Sequence, residues 1–130
     1  MVAALVAYFV YTDVPAGTVL WSQGSVADSA VILVSGRLES RLEDEAGTTE
    51  EIYPGHLIGE YGLISNDLRR GTVEVTERSV VLILTAEAFA RMRAEDPNLA
   101  FVLSKICMQY LMKRTMHVSN RIWESRCLPV

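Results

Sequence analysis

Cysteine is nearly absent. Cys107 and Cys127 are the only two in 130 residues, and neither has a cysteine or histidine partner at metal-ligand spacing, so neither a disulfide framework nor a zinc site is signalled. A reducing compartment, the cytoplasm, is therefore expected. Histidine is equally sparse: His56 and His117 lie far apart without an acidic or cysteine ligand pattern nearby, which leaves too few ligands for a metal-dependent catalytic centre. No serine stands in a nucleophile-elbow pattern, and no acid/base pair is identifiable beyond Glu60. The chain is not expected to be an enzyme.

A basic excess is also missing. Twelve Lys and Arg against sixteen Asp and Glu give a net charge of −4, whereas a general nucleic-acid surface carries cations to neutralise phosphates. A small, locally held anion is still compatible with that balance. Long apolar runs are missing too, since Val2 to Val10 falls well short of the ~20 residues that cross a bilayer. That stretch lacks a basic leader and a small-residue cleavage pattern, so it is not read as a signal peptide, and no direct membrane insertion is expected. What remains is a chain about half hydrophobic, enough for one domain with a continuous core and no covalent staples. It opens inside an apolar helical stretch and stops soon after another helix, the texture expected of a piece from a larger protein.

From Thr12 to Leu84 the chain consists of short β-prone runs broken by Gly or Pro, the pattern of a compact antiparallel barrel or sandwich. Corners are expected at Pro15-Ala16-Gly17, Gln23-Gly24 and Ser35-Gly36, the last ending an apolar run from Ala30 to Val34. Beyond it Leu38, Ser40 and Leu42 alternate with Arg37, Glu39, Arg41 and Glu43, placing the charges on one face of a strand. Asp44 to Gly47 reads as a hairpin tip, Thr48 to Tyr53 as its returning strand, and Thr72 to Thr76 and Ser79 to Leu84 as two further strands. Residues 1–11 are expected to form a leading helix, and 85–125 the helices that follow. Thr85 and Asp96 are the expected N-caps, with Pro97 at a first helical position.

The segment Ile58 to Val73 carries the chemistry. It sets an acid, a glycine-rich bend, a short apolar turn and a basic pair between two strands. A phosphate needs donors converging from several directions, and backbone N–H groups at the start of a helical turn supply them without side-chain entropy. Gly62-Leu63-Ile64-Ser65 suits that purpose, and an arginine opposite, Arg69, can donate two parallel bonds where a lysine cannot. A carboxylate beside a phosphate repels it, so Glu60 fits an anion site only by accepting from neighbouring hydroxyls such as those of a ribose. Sugar plus phosphate is what a nucleotide offers.

These residues resemble the cassette of the cyclic-nucleotide-binding domain family, found in the catabolite activator protein, kinase regulatory subunits and cyclic-nucleotide-gated channels. Gly59-Glu60, Gly62-Leu63, Arg69 and Gly71-Thr72 occupy its positions without insertion, and the three earlier glycine corners match as well. The resemblance implies a mainly β domain, an antiparallel β-barrel or jelly roll over 12–84 followed by C-terminal helices. It implies that Glu60 meets the ribose 2′-hydroxyl, that Arg69 meets the cyclic phosphate, and that the backbone of Gly62 and Leu63 completes a cradle to which Tyr61 and Arg70 also belong. The chain departs from the family at Leu68, where Pro is frequent, and at Arg70, where Ala, Ser or Thr is usual. Arg70 either adds a second cation or obstructs the ligand. The hydroxyl associated with guanine preference is missing there, so cyclic AMP is favoured over cyclic GMP.

The implied function is a ligand switch whose C-terminal helices report occupancy to attached regions, with Met108, Met112 and Met116 as a helical stripe from which a lid over the base is sought. No DNA-reading helix-turn-helix follows, so attachment to a membrane transporter or channel is expected. The texture is similar to the C-terminal domain of some sulfate-permease-type anion transporters. The alternative is a barrel that keeps the cassette but binds no ligand, with Glu60 and Arg69 as a loop-closing ion pair, serving as a structural or protein-interaction module.

Overall fold

A computed structural model describes residues 2–109 apart from 43–46, 64 and 66. Helix α1, Val2–Val6, leads through a turn into β1, Val10–Val14, and β2 follows at Val19–Trp21. Then come β3, Ser29–Leu42; β4, Thr49–Ile52; β5, Leu57–Ile58; a single 3-10 turn, Glu60–Leu63; and β6, Gly71–Thr85. Helix α2, Ala86–Glu95, is followed by α3, described over 97–109. The expected leading helix is thus shorter than 1–11, because Val10 and Tyr11 already pair with Ile83 and Leu82. The hairpin tip at Asp44 to Ala46, Ile64 of the cradle turn, Met112, Met116 and the helical region beyond 109 lie outside the described residues.

All strands are antiparallel in one sheet of order β1-β6-β3-β4, with β2 added to β6 and β5 to β3. Two long strands, β3 and β6, form its spine. The sequence reading divides each of them in two, at Ser35-Gly36 and at Glu77-Arg78, and the structure corrects this. Gly36 takes φ +99°, and the register shifts around it while the pairing continues. A bulge therefore bends the spine without breaking it. Buried Ser79 fills the gap the bulge leaves: its Oγ accepts from Arg37 N at 3.1 Å and donates to Glu77 O at 2.7 Å.

The strands serve two cores because successive residues of a pleated strand point to opposite faces. Val31, Leu33, Leu38, Val73, Val75 and Val81 fill the barrel interior. Ala30 and Leu84, one step out of phase with Val31 and Val81, face α2 and α3 instead, against Phe89, Met92, Leu99 and Leu103. β5 divides in the same way, with Leu57 on the helical side and Ile58 in the barrel. The helices begin where the sequence indicates. Thr85 Oγ1 accepts from Ala88 N at 3.0 Å, and Asp96 Oδ1 accepts from Leu99 N at 3.2 Å. No described helix is long and apolar enough to cross a membrane.

The bulge gives a direct test. A Cβ at Gly36 would stand 2.6 Å from Arg78 O, whereas one at Gly17, which also has positive φ, meets nothing within 4 Å. Gly17→Ala should cost about 1–2 kcal/mol for the left-handed backbone alone. Gly36→Ala should cost at least about 3 kcal/mol, because the strain of a close backbone approach is added. Urea unfolding measures both, and equal losses would show that Gly36 is only a corner.

Candidate functional site

The cradle is built where the segment before β6 is laced to the segment before β3. Gly24 N donates to Arg69 O at 2.8 Å, Arg69 N to Ser25 O at 2.7 Å, and Ala27 N to Asp67 O at 2.9 Å. Val26 and Leu68 form the bridge between them. This fixes the backbone of Arg69, and its side chain enters the protein, where the residue is only 4% exposed.

The guanidinium meets few partners there. Nη2 donates to Ser29 O at 2.8 Å and to Ser29 Oγ at 3.1 Å, and Nη1 reaches Gly59 O at 3.5 Å. Its central carbon lies 3.8 Å from the centre of the Trp21 ring, a stacking worth ~0.5–2 kcal/mol depending on desolvation. Asp28 is 4.0 Å away and mostly exposed. Among the described residues Nε has no hydrogen-bond partner. Burial draws the guanidinium below its usual pKa range, against the opposing pull of Asp28, yet an arginine stays protonated at neutral pH. A buried cation with an unanswered donor is an unfilled demand for an anion.

Glycines make this approach possible. Gly59 has φ +69°, and a Cβ there would lie 2.7 Å from both Arg69 Nη1 and the Trp21 ring. At Gly62 a Cβ would lie 2.9 Å from Ser29 O, so the 3-10 turn seats directly on the start of β3. Gly71 does the same at the mouth, where a Cβ would lie 2.6 Å from Arg41 O.

A cavity of about 140 Å³ opens in front of Arg69, bounded on the cassette side by Gly59, Tyr61, Arg69, Arg70 and Gly71. Arg70 stands at its rim, its side chain 78% exposed and 3.9 Å from Asp67. Tyr61 is held by its hydroxyl, which donates to Leu68 O at 3.2 Å. Other residues of the sequence-derived cradle face elsewhere. Thr72 lies between Gly71 and Val73 on the strand, so the pleat turns it away from the cavity, and its Oγ1 accepts from Gln23 N at 3.1 Å. Leu63 belongs to the helical core. Glu60 is 1% exposed and does not line the cavity. Its charge is felt at Cys107 on α3, whose thiol is pushed up to about 11, first by burial and then by Glu60. Among the described residues the carboxylate paired with Arg69 is that of Asp28, 4.0 Å away.

Sequence reasoning missed Trp21 and Ser29, which hold the guanidinium. A tryptophan in a three-residue strand between two glycine corners was the available signal for the first. Ser40, Leu42, Glu50, Ile52, Ile58 and Val73 complete the cavity wall, and the alternation in β3 had already placed Ser40 and Leu42 on the uncharged face.

The family profile described as Cyclic nucleotide-binding domain matches residues 11–96. A cyclic nucleotide-gated potassium channel of Rhizobium etli is 31% identical over 96 residues, covering 74% of this chain and 26% of the channel. The chain thus spans about a quarter of that relative's length. The catabolite activator protein of Thermus thermophilus superposes with a TM-score of 0.76 at 21% identity, over 95% of this chain and 59% of that one. A cyclic nucleotide-binding domain from Methylobacillus flagellatus does so with a TM-score of 0.80 at 17% identity, over 99% and 74%. The two structures establish the shared fold. None of the three is a sulfate permease, so that narrower likeness gains no support from them.

The position of Glu60 can be read through Cys107. In a Cys127→Ser background, alkylation of the folded protein at pH 8 should run at least about a hundredfold slower than for a free cysteine, because the thiolate fraction is small. Glu60→Gln should lower the Cys107 pKa and speed the reaction. Labelling at the free-thiol rate would place Cys107 outside the core.

Proposed function

The chain belongs to the cyclic nucleotide-binding domain family, and from that premise we propose that it is a regulatory binding module, without catalysis of its own, that takes up cyclic AMP in preference to cyclic GMP. The observation that carries this reading is the Arg69 guanidinium, buried at the back of an open cavity with Nε unpartnered. A cyclic phosphate seated there accepts from the guanidinium and neutralises a charge that Asp28 compensates only from 4.0 Å. Charge-assisted hydrogen bonds of this kind contribute roughly 1.5–3 kcal/mol.

The cavity of about 140 Å³ is below the ~300–1,000 Å³ typical of pockets that enclose a drug-sized ligand. Phosphate and sugar therefore occupy the cradle, and the base stays at the mouth or widens it. For Glu60 to accept from a ribose hydroxyl, its carboxylate must leave the α3 side and turn toward the cavity. That movement supplies the switch: a ligand shifts an equilibrium only by its difference in affinity between two arrangements, and withdrawing Glu60 from beside Cys107 changes what α3 rests on. The attached protein is a membrane transporter or channel, a reading supported by the channel relative. The sulfate-permease type is its narrowest form.

A second reading, an interaction module that binds no nucleotide, draws on the contacts Arg69 already makes with Ser29 and Trp21. Calorimetric titration with cyclic AMP and cyclic GMP separates the two. Cyclic AMP should bind more tightly, and Arg69→Lys, which keeps the charge but loses the fork, should weaken binding at least about tenfold. Absence of heat at millimolar ligand would favour the second reading. Arg70→Ala should weaken binding only about two- to threefold, with the difference fading in high salt, since the side chain is an exposed rim cation. Tighter binding would mark Arg70 as an obstruction instead.

A further inference from the structure

We propose that Trp21 is a positioning residue of the cradle, setting the plane in which the Arg69 guanidinium is held at the cavity wall. This deepens the nucleotide reading and rests on it for the ligand, but the stacking itself is independent of any ligand. Three observations converge. The guanidinium carbon lies 3.8 Å from the ring centre, well inside the distance at which an aromatic face attracts a cation. Ring and guanidinium are packed so closely around Gly59 that one added Cβ would meet both at 2.7 Å. Trp21 also lines the cavity, so its ring is a wall of the site as well as a support.

The other constraints on the side chain leave this role open. Ser29 fixes only Nη2, and the 3.5 Å contact from Nη1 to Gly59 O is at the outer limit of a hydrogen bond. One anchored corner lets a planar group swing about that corner. A ring stacked on its face removes the swing, and the plane of the donors is set. The aromatic face, rather than the bulk of the residue, is the operative feature. Phenylalanine should therefore substitute for Trp21, and leucine should not.

The test uses the full chain with Trp123→Phe, so that Trp21 is the only indole. In the ligand-free protein, the δ-methylene protons of Arg69 should be shifted upfield by the ring current. The shift should persist in part in Trp21→Phe and vanish in Trp21→Leu. Cyclic AMP should change the Trp21 emission along the same saturation curve that calorimetry gives. Trp21→Phe should bind within about threefold of the parent and Trp21→Leu at least about tenfold more weakly, with urea unfolding confirming that both variants fold. An Arg69 shift absent in the parent, or unchanged in Trp21→Leu, overturns the proposal. So does unaltered affinity of a folded Trp21→Leu. A normal ring-current pattern in a protein that binds no cyclic nucleotide supports the stacking and overturns the nucleotide reading.

Discussion

Everything around the cavity follows from holding one positive charge inside the protein. The Arg69 guanidinium cannot shed its proton at neutral pH, and among the described residues the carboxylate paired with it, Asp28, is 4.0 Å away and largely in solvent. The surrounding sequence answers with weaker partners: a backbone carbonyl and hydroxyl from Ser29 and the π face of Trp21. Those partners approach only because Gly59 leaves room for them. The lacing of residues 24–27 to 67–69 fixes where the side chain starts. The result is an anchored cation whose Nε has no partner among the described residues.

The 3-10 turn at Glu60–Leu63 is where this charge communicates with the rest of the fold. Its alternate residues point into different compartments: Tyr61 borders the cavity, while Glu60 and Leu63 are buried, Leu63 within the helical core. A turn with one foot at the cavity and the other in the helical core cannot be displaced on one side without consequence on the other, because close-packed interiors transmit strain. Glu60 adds an electrostatic link, since its charge acts on the Cys107 thiol of α3. The route from cavity to helix is therefore short.

Much of this was legible in the sequence. The barrel, its glycine corners, the caps at Thr85 and Asp96 and the cassette between two strands all rest on local rules, and local rules act on neighbours in the chain. The misreadings share a different character. Gly36 was read as the end of a strand because nothing nearby reveals that Ser79, forty-three residues on, would fill the bulge and keep the pairing. The hydrogen bond from Gln23 N to Thr72 Oγ1 likewise joins segments far apart in the chain, which the cassette alone does not reveal. The burial of Glu60 beside α3 and the stacking of Trp21 on Arg69 depend on segments distant in sequence, and residue type alone does not select between the two cores that the strands divide.

The most direct measurement follows the Nε–H proton of Arg69 by NMR in isotopically labelled protein as cyclic AMP is added. The account predicts a saturable downfield movement and slower exchange with water, as a phosphate comes to bond the guanidinium at the cavity wall. A resonance that stays in place up to millimolar cyclic AMP would contradict it.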